Sequence, residues 1–441
     1  MLPEEFLRRI QIQLGDEYPQ FLAALDRPRA VALRFNPLKC PDFPALPFVG
    51  QEVPWAKYGY YYESQARPGL HIWHEAGLYY LQEASAMAPV TLLDPQPGEI
   101  VLDLCAAPGG KSTQIAALME GRGMLVCNEI NPKRGKILSR NIERMGVSNA
   151  LVLNHHPSDL ERYFVGVFDK ILVDAPCSGE GMFRKEEAAV TDWSPETVTM
   201  CARRQQEILD TAAKLLRPGG RLVYSTCTFA PEEDEGAISE FLKSHRDFSI
   251  ERVHAPTLSP GSAALVASPV QDLEHTFRLW PHHQHGEGHY AAVLRKAGNE
   301  DSALSPSGSG KPPKEWLAFA KALEICLPDG KPIVFGRSLF WAPEQLPELK
   351  GLKVLRPGLE LGEVKKDRFE PAHALALWLK DCKTLQDYPA DSKEIQDYLH
   401  GNVVPSTQKG WCLVTAGGFS IGWGKGDGGV LKNHYPKGLR R

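Results

Sequence analysis

The sequence predicts a doubly wound α/β fold for the middle of the chain, on two observations. Short, continuous runs of Val, Ile and Leu recur there, and amphipathic stretches with helical periodicity separate them. Uninterrupted apolar strands of this kind are typical of a parallel sheet that helices cover on both faces. In such a fold a ligand binds at the carboxyl ends of the strands, where the loops that follow them meet.

Five segments are predicted to be strands of this sheet. They are EIVLDL (99–104), GMLVCNE (123–129), ALVLN (150–154), FDKILVDAP (168–176) and GRLVYST (220–226). Helices are predicted at 132–146, 196–216 and 232–245. The alternation of the two patterns is what repeated βαβ units require.

Composition changes on both sides of this region predict further domains. Residues 1–70 are rich in Pro and aromatic residues and are expected to form a small α+β domain, which places the α/β domain at 71–297. The next stretch, KAGNEDSALSPSGSGKPP, is rich in Ser, Gly and Pro and predicts a linker at 298–314. We divide the remainder into an intermediate domain at 315–385 and a β-rich module with Gly-rich turns at 386–441.

Overall composition limits the class of protein. The chain is 43% hydrophobic and 24% charged, as in ordinary globular proteins. Its first residues, MLPEEFLRRIQIQLG, lack the basic start and apolar core of a signal peptide, and no apolar run reaches the length of about 18 residues that spans a membrane. Nine cysteines without a CxxC pair favour reduced thiols. We therefore expect a cytoplasmic protein that does not enter a membrane.

Charge is unevenly distributed along the chain. The net charge is −4, which by itself does not indicate a polyanionic partner. Residues 401–441, however, contain six Lys or Arg residues and one Asp. This end could bind phosphates, or it could be an ordinary solvated surface.

A small-residue loop, DLCAAPGGKST, follows the first predicted strand. Its Gly110-Lys111-Ser112 ending is that of a P-loop, which binds nucleoside triphosphates. A P-loop also needs a Gly five residues before Gly110, where this chain has Cys105. Pro108 further removes an N–H from a loop that would have to offer N–H groups to phosphate. The loop therefore does not indicate a triphosphate site.

The second strand ends in an acid that changes the interpretation of this loop. Glu129 lies at its carboxyl end, where a carboxylate can accept hydrogen bonds from both hydroxyl groups of a ribose. A small-residue turn after strand one and an acid after strand two predict a nucleoside pocket without phosphate clamps. S-adenosylmethionine fits this description.

Two cysteines lie immediately beyond strands on the ligand side. Cys177 follows Asp174 in DAPCSG after the fourth strand, and Cys227 lies in STCTF after the fifth. A single cysteine there would most simply be structural. Two of them suit methylation of carbon 5 of a pyrimidine, because a thiolate must first add to carbon 6 to make carbon 5 nucleophilic. That reaction also needs an acid near ring nitrogen 3 and a base for the proton on carbon 5.

These motifs together resemble those of the RNA 5-methylcytosine methyltransferases of the Sun/RsmF type. The resemblance rests on DLCAAPGGKS, NEINPKR, DAPCSGEGMFRK and STCTF, and further on QEASAMAPV (82–90), LRFNPLK (33–39) and the final NHYPKGLRR. It covers nearly the whole chain and is most specific across 80–230. It implies a class I S-adenosylmethionine-dependent methyltransferase core, Rossmann-like, with an RNA-binding N-terminal domain and a PUA-like C-terminal module.

The resemblance implies a role for each matching residue. Cys227 would be the nucleophile, Cys177 would help release the product, and Asp174 would contact both cofactor and cytosine. Glu129 would bind the ribose, and Arg134 would lie beside the cofactor. The loop that would surround the methionine part of the cofactor consists of Cys105, Ala106, Ala107, Pro108, Gly109, Gly110 and Lys111.

The same resemblance sets the expected substrate. Because both cysteine motifs are present, we expect RNA and not DNA, and most specifically 16S ribosomal RNA bound by a monomer. The alternatives are a tRNA cytosine-5 methyltransferase, or a ribosome-assembly factor that binds RNA and methylates incidentally. The second alternative does not account for Asp174, Cys177 and Cys227.

Several positions stay open at the sequence level. Many relatives have Asp after strand three, near the adenine, where this chain reads LNHHPSD; Asn154, His156 or Asp159 could take its place. Arg184 and Lys185 could contact the RNA backbone or simply be surface charges.

Histidines and aromatic residues near the end of the chain also allow two interpretations. His282, His283, His285 and His289 occur together but without Cys, so we predict no metal site. For Trp411, Phe419 and Trp423, core packing is favoured over base stacking.

Overall fold

The computed structural model describes residues 2–441, and its strands fall into four sheets. In chain order the strands are β1 Ala32–Phe35, β2 Val49–Glu52, β3 Gly59–Tyr62, β4 Tyr79–Leu81, β5 Ile100–Asp103, β6 Met124–Asn128, β7 Ala150–Leu153, β8 Phe168–Asp174, β9 Leu216–Thr226, β10 Phe248–Ile250, β11 Ser259–Pro260, β12 Phe277–Leu279, β13 His289–Lys296, β14 Lys331–Phe335, β15 Ser338–Ala342, β16 Val354–Pro357, β17 Leu359–Lys365, β18 Arg368–Pro371, β19 Leu385–Tyr388, β20 Val404–Pro405, β21 Lys409–Ala416, β22 Phe419–Asp427 and β23 Val430–Asn433.

The helices lie on and between these sheets. In chain order they are α1 Glu4–Leu14, α2 Tyr18–Leu25, α3 Ile72–Glu75, α4 Ala88–Leu93, α5 Gly110–Leu118, α6 Pro132–Arg144, α7 Glu187–Asp192, α8 Pro195–Leu215, α9 Glu235–Ser244, α10 Lys314–Leu323, α11 His373–Trp378 and α12 Lys393–His400. None of the helices within residues 2–441 has the length and apolar character needed to cross a membrane.

The central sheet has the predicted doubly wound core. The strands β7, β6, β5, β8 and β9 are neighbours in that order and pair in parallel. Because β5 lies between β6 and β8, the order reverses next to β5, and a ligand cleft is expected at its carboxyl end. Val101 and Leu102 are both fully buried and belong to clusters on opposite faces, as a sheet covered on both sides requires.

The antiparallel extension of this sheet was not predicted. Strand β13 pairs antiparallel with β9 over Arg221–Thr226, and β12, β11 and β10 add to it. In an antiparallel pair, the start of one strand lies beside the end of the other. The first residues of β13 therefore lie at the carboxyl end of β9. His289, the first residue of β13, thereby reaches the ligand side of the sheet.

The first sheet has the order β2-β3-β1-β4 and extends past the predicted boundary at residue 70. Strand β4 pairs with β1, with Leu33 opposite Leu81. Tyr79 and Leu81 continue directly into the α/β region without a change in composition, so sequence alone offered no sign of this strand.

The intermediate region also departs from the predicted arrangement, because one of its strands joins the central sheet. Strand β16 pairs antiparallel with β7, and Arg356 makes an ion pair with Glu143 of α6. Strand β7 would otherwise be an exposed edge, which sheets generally cover. The region 315–385 therefore shares a sheet with the α/β domain.

The C-terminal region is β-rich, as predicted. A four-stranded sheet β14-β15-β17-β18 is followed by a five-stranded sheet β19-β21-β22-β23-β20. Trp423 is 1% exposed and its Nε1 donates to the Ala372 carbonyl at 2.9 Å. Trp423 is thus a core residue, while Trp411 and Phe419 are half-buried.

Candidate active site

The carboxyl ends of the parallel strands open onto one cleft of about 860 Å³. This volume lies within the range of about 300–1,000 Å³ that is usual for small-molecule sites. Cys105, Glu129, Asp174, Cys177 and Cys227 all line it. Residues that the sequence placed after four different strands therefore meet in a single site.

The loop after β5 begins at a buried carboxylate. Asp103 is fully buried and accepts a hydrogen bond from the Ser112 hydroxyl at 2.6 Å, which ties the first turn of α5 to the end of β5. Burial raises the pKa of Asp103 to about 7. Gly109, with a φ of 114°, makes the turn into α5 in a conformation that side chains disfavour.

Only part of this loop faces the cleft. Cys105 and Ala107 line it, whereas the Ala106 N–H donates to the Asn128 carbonyl at 2.9 Å. The Pro108 carbonyl accepts from the Asn141 amide at 2.8 Å. These bonds anchor the loop against its neighbours.

The start of α5 is fixed by the N-terminal sheet. The Gly110 carbonyl accepts from Arg34 Nη2 at 3.2 Å, and the same nitrogen donates to Thr113 Oγ1 at 2.9 Å. Arg34 is 1% exposed and comes from β1. The sheet built from 32–81 thus supports the loop after β5 and the start of α5.

Glu129 and Arg134 lie together at the end of β6. Glu129 is buried, and its Oε1 accepts from the Asn131 N–H at 2.8 Å. Arg134 Nη1 lies 3.7 Å from Glu129 Oε2, and its Nη2 donates to the Ala107 carbonyl at 2.6 Å. Arg134 therefore connects Glu129 to the loop after β5.

Asp174 is the centre of the polar contacts in the cleft. Lys111 Nζ lies 2.7 Å from its Oδ2, and the Ser225 hydroxyl donates to its Oδ1 at 2.8 Å. His289 Nε2 is 3.6 Å from the same Oδ1. Lys111, which does not line the cleft itself, acts on it through Asp174.

These neighbours decide the charge of Asp174. Burial alone would raise the pKa of Asp174, but the Lys111 ammonium and His289 hold it below its usual range. Burial likewise opposes the charge on Lys111, and Asp174 more than offsets this, so the pKa of Lys111 is raised. The pair is therefore ionised at neutral pH.

The two cysteines are in contact. Their Sγ atoms lie 3.3 Å apart, and both residues are free thiols. The hydrogen bond to Cys227 and then burial raise the pKa of Cys177 well above its ordinary value. Cys177 is thus a thiol that holds its proton tightly beside the Cys227 sulfur.

Two buried glutamates lie behind the thiols, and sequence reasoning missed both. Glu180 accepts from the Phe229 N–H at 2.9 Å, and Glu233 accepts from the Ser178 N–H at 3.0 Å. Glu180 lies in the segment GEG and Glu233 in PEEDE, and acidic residues in such polar segments are usually exposed. No sequence signal therefore marked them as buried. His289 and Ser225 were missed as well.

The position after β7 remains without a carboxylate in the cleft. His156 and Pro157 line it there, next to Ile130. Asn154 turns away and donates to the Glu129 carbonyl at 2.6 Å, while Asp159 lies 3.6 Å from His155. Of the three candidates, His156 is the one that faces the ligand space.

The histidine-rich segment does not assemble as one group. His282 and His283 both contact Glu17, at 3.0 Å and 2.8 Å, and these three side chains are close enough to share one ion. His289 lies instead beside Asp174.

The two basic residues after the Cys177 loop differ in their surroundings. Arg184 makes a two-pronged ion pair with Glu287, at 2.8 Å and 3.0 Å, and also donates to the Ala24 carbonyl. Lys185 is exposed. Arg184 therefore joins α2 to the segment around Glu287, and of the two basic residues only Lys185 is exposed.

The donor set of the cleft fits S-adenosylmethionine. A buried carboxylate, Glu129, suits ribose hydroxyls, and the apolar surfaces of Ile130 and Pro157 suit a base. The ionised Asp174 suits the positively charged methionine part. The residues present thus match the cofactor that the sequence predicted.

Comparison with known families agrees with this site. Residues 90–295 match the family described as 16S rRNA methyltransferase RsmB/F. The flanks match the N-terminal domain of 16S rRNA methyltransferase RsmF (2–84), the RsmF rRNA methyltransferase first C-terminal domain (318–379) and the methyltransferase RsmF PUA domain (386–441).

Curated relatives match over the full length. Ribosomal RNA small subunit methyltransferase F of Aeromonas salmonicida is 33% identical, with 100% of this chain and 97% of the relative covered. The protein of the same name from Vibrio vulnificus is 34% identical, with 100% and 98% covered.

Solved structures share the fold over two thirds of the chain. A methyltransferase homolog protein from Pyrococcus horikoshii superimposes with a TM-score of 0.56 and 27% identity, covering 67% of this chain and all of its own. NSun6 from the same organism, solved with SFG, has a TM-score of 0.57 and 21% identity, with 67% and 99% covered. Together with the family matches over all regions of the chain, these likenesses show that it belongs to the RsmF family of 16S rRNA methyltransferases.

Proposed function

We propose that this protein methylates carbon 5 of a cytosine in 16S ribosomal RNA through a covalent bond between Cys227 and carbon 6 of the base. The observation that carries the proposal is the 3.3 Å contact between the Cys177 and Cys227 sulfurs, in the cleft that also holds Glu129 and Asp174. Carbon 5 becomes nucleophilic only after a thiolate has added to carbon 6. Methyl transfer to a nitrogen or oxygen atom would need neither thiol.

The two thiols take different parts. The raised pKa of Cys177 keeps this thiol protonated beside the Cys227 sulfur. We assign Cys227 as the nucleophile that forms the bond to carbon 6. We assign Cys177 to product release: a base takes the proton from carbon 5, the electrons of that bond re-form the double bond between carbons 5 and 6, and Cys227 leaves as a thiolate 3.3 Å from the Cys177 sulfur.

Asp174 and Lys111 divide the acid–base work on the cytosine ring. Since its low pKa keeps Asp174 ionised, this carboxylate accepts a hydrogen bond from the exocyclic amine and does not donate a proton. Lys111 remains charged 2.7 Å away. Its positive charge stabilises the negative charge that develops on the ring when Cys227 adds.

Cofactor binding is assigned to the loops after β5 and β6. The loop from Cys105 to Lys111, of which Cys105 and Ala107 line the cleft, holds the methionine part, Glu129 accepts from the ribose hydroxyls, and His156 faces the adenine. Arg134 fixes the separation of these two loops. When bound, S-adenosylmethionine supplies the methyl group as an electrophile.

The flanking regions are assigned to RNA binding. A target base must be unpaired or flipped before it can enter a cleft of this kind, so surfaces beside the cleft have to bind the surrounding RNA. The PUA domain match at 386–441 and the six basic residues at 401–441 support an RNA contact there.

Bisulfite sequencing of total RNA from cells with and without the protein tests the substrate. Loss of 5-methylcytosine from one or more positions in 16S rRNA supports the proposal. Loss from tRNA alone, or from no RNA, contradicts it.

Two cysteine variants test the chemistry on purified protein and RNA. Cys227→Ala is expected to abolish methylation while the cofactor still binds, because Cys227 acts on the base. Cys177→Ala is expected to accumulate a covalent RNA–protein adduct on a denaturing gel. Near-normal turnover of Cys177→Ala without an adduct would refute the assignment of the two cysteines.

A further inference from the structure

Two buried carboxylates join the loops that carry the two thiols. Each belongs to one loop and accepts a hydrogen bond from the other. Glu180 follows Cys177 in the chain but accepts from the N–H of Phe229, which follows Cys227. Glu233 follows Cys227 but accepts from Ser178, which follows Cys177. Each loop therefore supplies the acid that holds the other.

We propose that Glu180 and Glu233 are positioning residues that hold the two catalytic thiols in contact, Glu233 by fixing the Cys177 loop and Glu180 by fixing the Cys227 loop. This inference rests on the proposed function, since it assigns separate steps to the two thiols. Neither glutamate lines the position of the reacting base or touches a cysteine sulfur through a hydrogen bond. They act through backbone and hydroxyl groups next to the cysteines.

Glu233 accepts several hydrogen bonds, from the Cys177 loop and from Gln205 of α8. It accepts from the Ser178 N–H at 3.0 Å, from the Ser178 hydroxyl and from Gln205 Nε2 at 2.8 Å. The same Gln205 nitrogen donates to the carbonyl of Pro176, at 3.1 Å. Both neighbours of Cys177 in the chain are thus attached, directly or through Gln205, to one carboxylate.

Glu180 makes the matching connection on the other side. Its Oε2 accepts from the Phe229 N–H at 2.9 Å, and its Oε1 accepts from Trp193 Nε1 at 3.0 Å. The next residue, Gly181, donates its N–H to the Cys227 carbonyl at 2.8 Å. A Cβ on Gly181 would lie only 3.0 Å from that carbonyl oxygen, so the two loops are packed without space for a side chain.

A direct bond between the loops completes the arrangement. The hydroxyls of Ser178 and Thr228, the residues that follow the two cysteines, lie 2.9 Å apart. Glu180 is 4% exposed and Glu233 is fully buried. Buried carboxylates that accept several hydrogen bonds are costly to place, and removing their partners disturbs the local structure strongly.

The negative charge of Glu233 also acts on Cys177. The charged groups that raise the pKa of Cys177 are Cys227 and then Glu233. Glu233 thus helps Cys177 to keep its proton. Burial raises the pKa of Glu233 itself to about 7, against the hydrogen bonds from Ser178 and Gln205.

The substitution Glu233→Gln tests the hydrogen bonds by which Glu233 holds the Cys177 loop. Glutamine has the same shape but no charge, and the amide nitrogen that replaces one carboxylate oxygen can no longer accept from the Ser178 hydroxyl. Adduct breakdown is expected to slow by about 10- to 100-fold, the cost of a small misplacement of a catalytic group, so that adduct accumulates on a denaturing gel. Glu232→Gln is the matched control, because Glu232 is the preceding residue and its side chain is 49% exposed.

A second measurement uses the protein without RNA or cofactor. Alkylation of Cys177 by iodoacetamide, followed by mass spectrometry across a range of pH, reports the proton affinity of that thiol. In Glu233→Gln the midpoint is expected to fall by about one pH unit, because one nearby negative charge is gone. Ser178→Ala keeps the hydrogen bond from the Ser178 N–H and is the milder variant. It should change adduct accumulation and the alkylation midpoint in the same direction as Glu233→Gln, but to a smaller extent.

Glu180→Gln should give the opposite kinetic phenotype. It loosens the Cys227 loop, so formation of the adduct should slow and none should accumulate. The proposal is overturned if Glu233→Gln matches Glu232→Gln in both readouts, or if it only lowers the melting temperature without adduct or a shifted alkylation profile. If Cys177→Ala itself yields no adduct while the alkylation midpoint still shifts in Glu233→Gln, the assigned role of Cys177 fails and the positioning by Glu233 stands.

Discussion

The buried Asp103 should make the folded protein less stable as pH rises, and Asp103→Asn should remove this effect. Asp103 is 0% exposed, and its Oδ1 has no hydrogen-bond partner. Its pKa rises from an ordinary value of about 3.9 in an unfolded chain to about 7 in the fold. An acid whose pKa is raised by folding stabilises the folded state fully only below its unfolded pKa, and the contribution is lost as pH rises towards the folded pKa.

The magnitude follows from the size of this shift. One pKa unit corresponds to about 1.4 kcal/mol, so the whole loss between pH 4 and pH 7 is about 4 kcal/mol. The asparagine in Asp103→Asn would resemble the protonated acid, because its amide oxygen can still accept from Ser112 and it carries no charge. The variant should therefore gain about 1.4 kcal/mol per pH unit relative to the parent between pH 5 and pH 7.

Urea unfolding of both proteins at pH 5, 6, 7 and 8 measures this difference. The free energies of unfolding should diverge up to about pH 7, with the variant more stable, and then run parallel. Asp42→Asn, at an exposed carboxylate, is the control and should show no such divergence. Parallel curves for Asp103→Asn over the whole range would refute the reasoning, since Asp103 would then be ionised without cost.

Three further predictions concern the cofactor site and the C-terminal core. Glu129→Gln should weaken S-adenosylmethionine binding by about 1.5–3 kcal/mol, since a charged acceptor for the ribose is lost; calorimetry measures this, and unchanged affinity would contradict it. Lys111→Met should let burial raise the pKa of Asp174, so that methylation is lost at a higher pH as the solution is acidified; an unmoved acid limb in the rate profile would argue against it. Trp423→Ala should lower stability by about 3–5 kcal/mol because the indole is buried, and a normal thermal melt with weakened RNA binding would assign it to the RNA surface instead.

The parts of the fold that sequence predicted are those with an unmistakable local signal. The runs immediately before Asp103, Asn128 and Asp174 are continuous apolar residues, mainly Val, Ile and Leu, and they predict strands that are buried on both faces. Because the carboxyl ends of parallel strands lie on one edge, the residues after them could be brought together without knowing any contact. The predicted site residues that line the cleft follow from this rule.

Elements that depend on pairing between distant segments could not be predicted in this way. Strand β16 has only four residues, and nothing in VLRP indicates that it completes the edge of a sheet formed some two hundred residues earlier. The N-terminal sheet runs to Leu81 for a similar reason, since β4 is recognised only by its pairing with β1. Strands as short as these are recognised only from the strand with which they pair.

The helix after Cys227 shows how a local pattern can hide a functional residue. The acidic run 232–235 predicts the solvated start of a helix over 232–245, yet α9 begins only at Glu235. Glu233 and Asp234 are fully buried, because their carboxylates accept from Ser178 and from the Thr226 hydroxyl. A run of acids is ordinarily exposed, so burial here reflects the demand of the neighbouring loops for acceptors.

The completed site therefore depends on both the parallel and the antiparallel strands of the central sheet. The parallel strands deliver Asp174 and Cys227 to the cleft, as their loops predict. The antiparallel β13 begins beside the end of β9, so it delivers His289 to within 3.6 Å of Asp174 from a segment that contains no methyltransferase motif. A Rossmann-like sheet that ended at β9 would lack His289, which together with Lys111 holds the pKa of Asp174 below its usual range. The antiparallel extension thus contributes to the surroundings of Asp174 as well as covering the edge of the sheet.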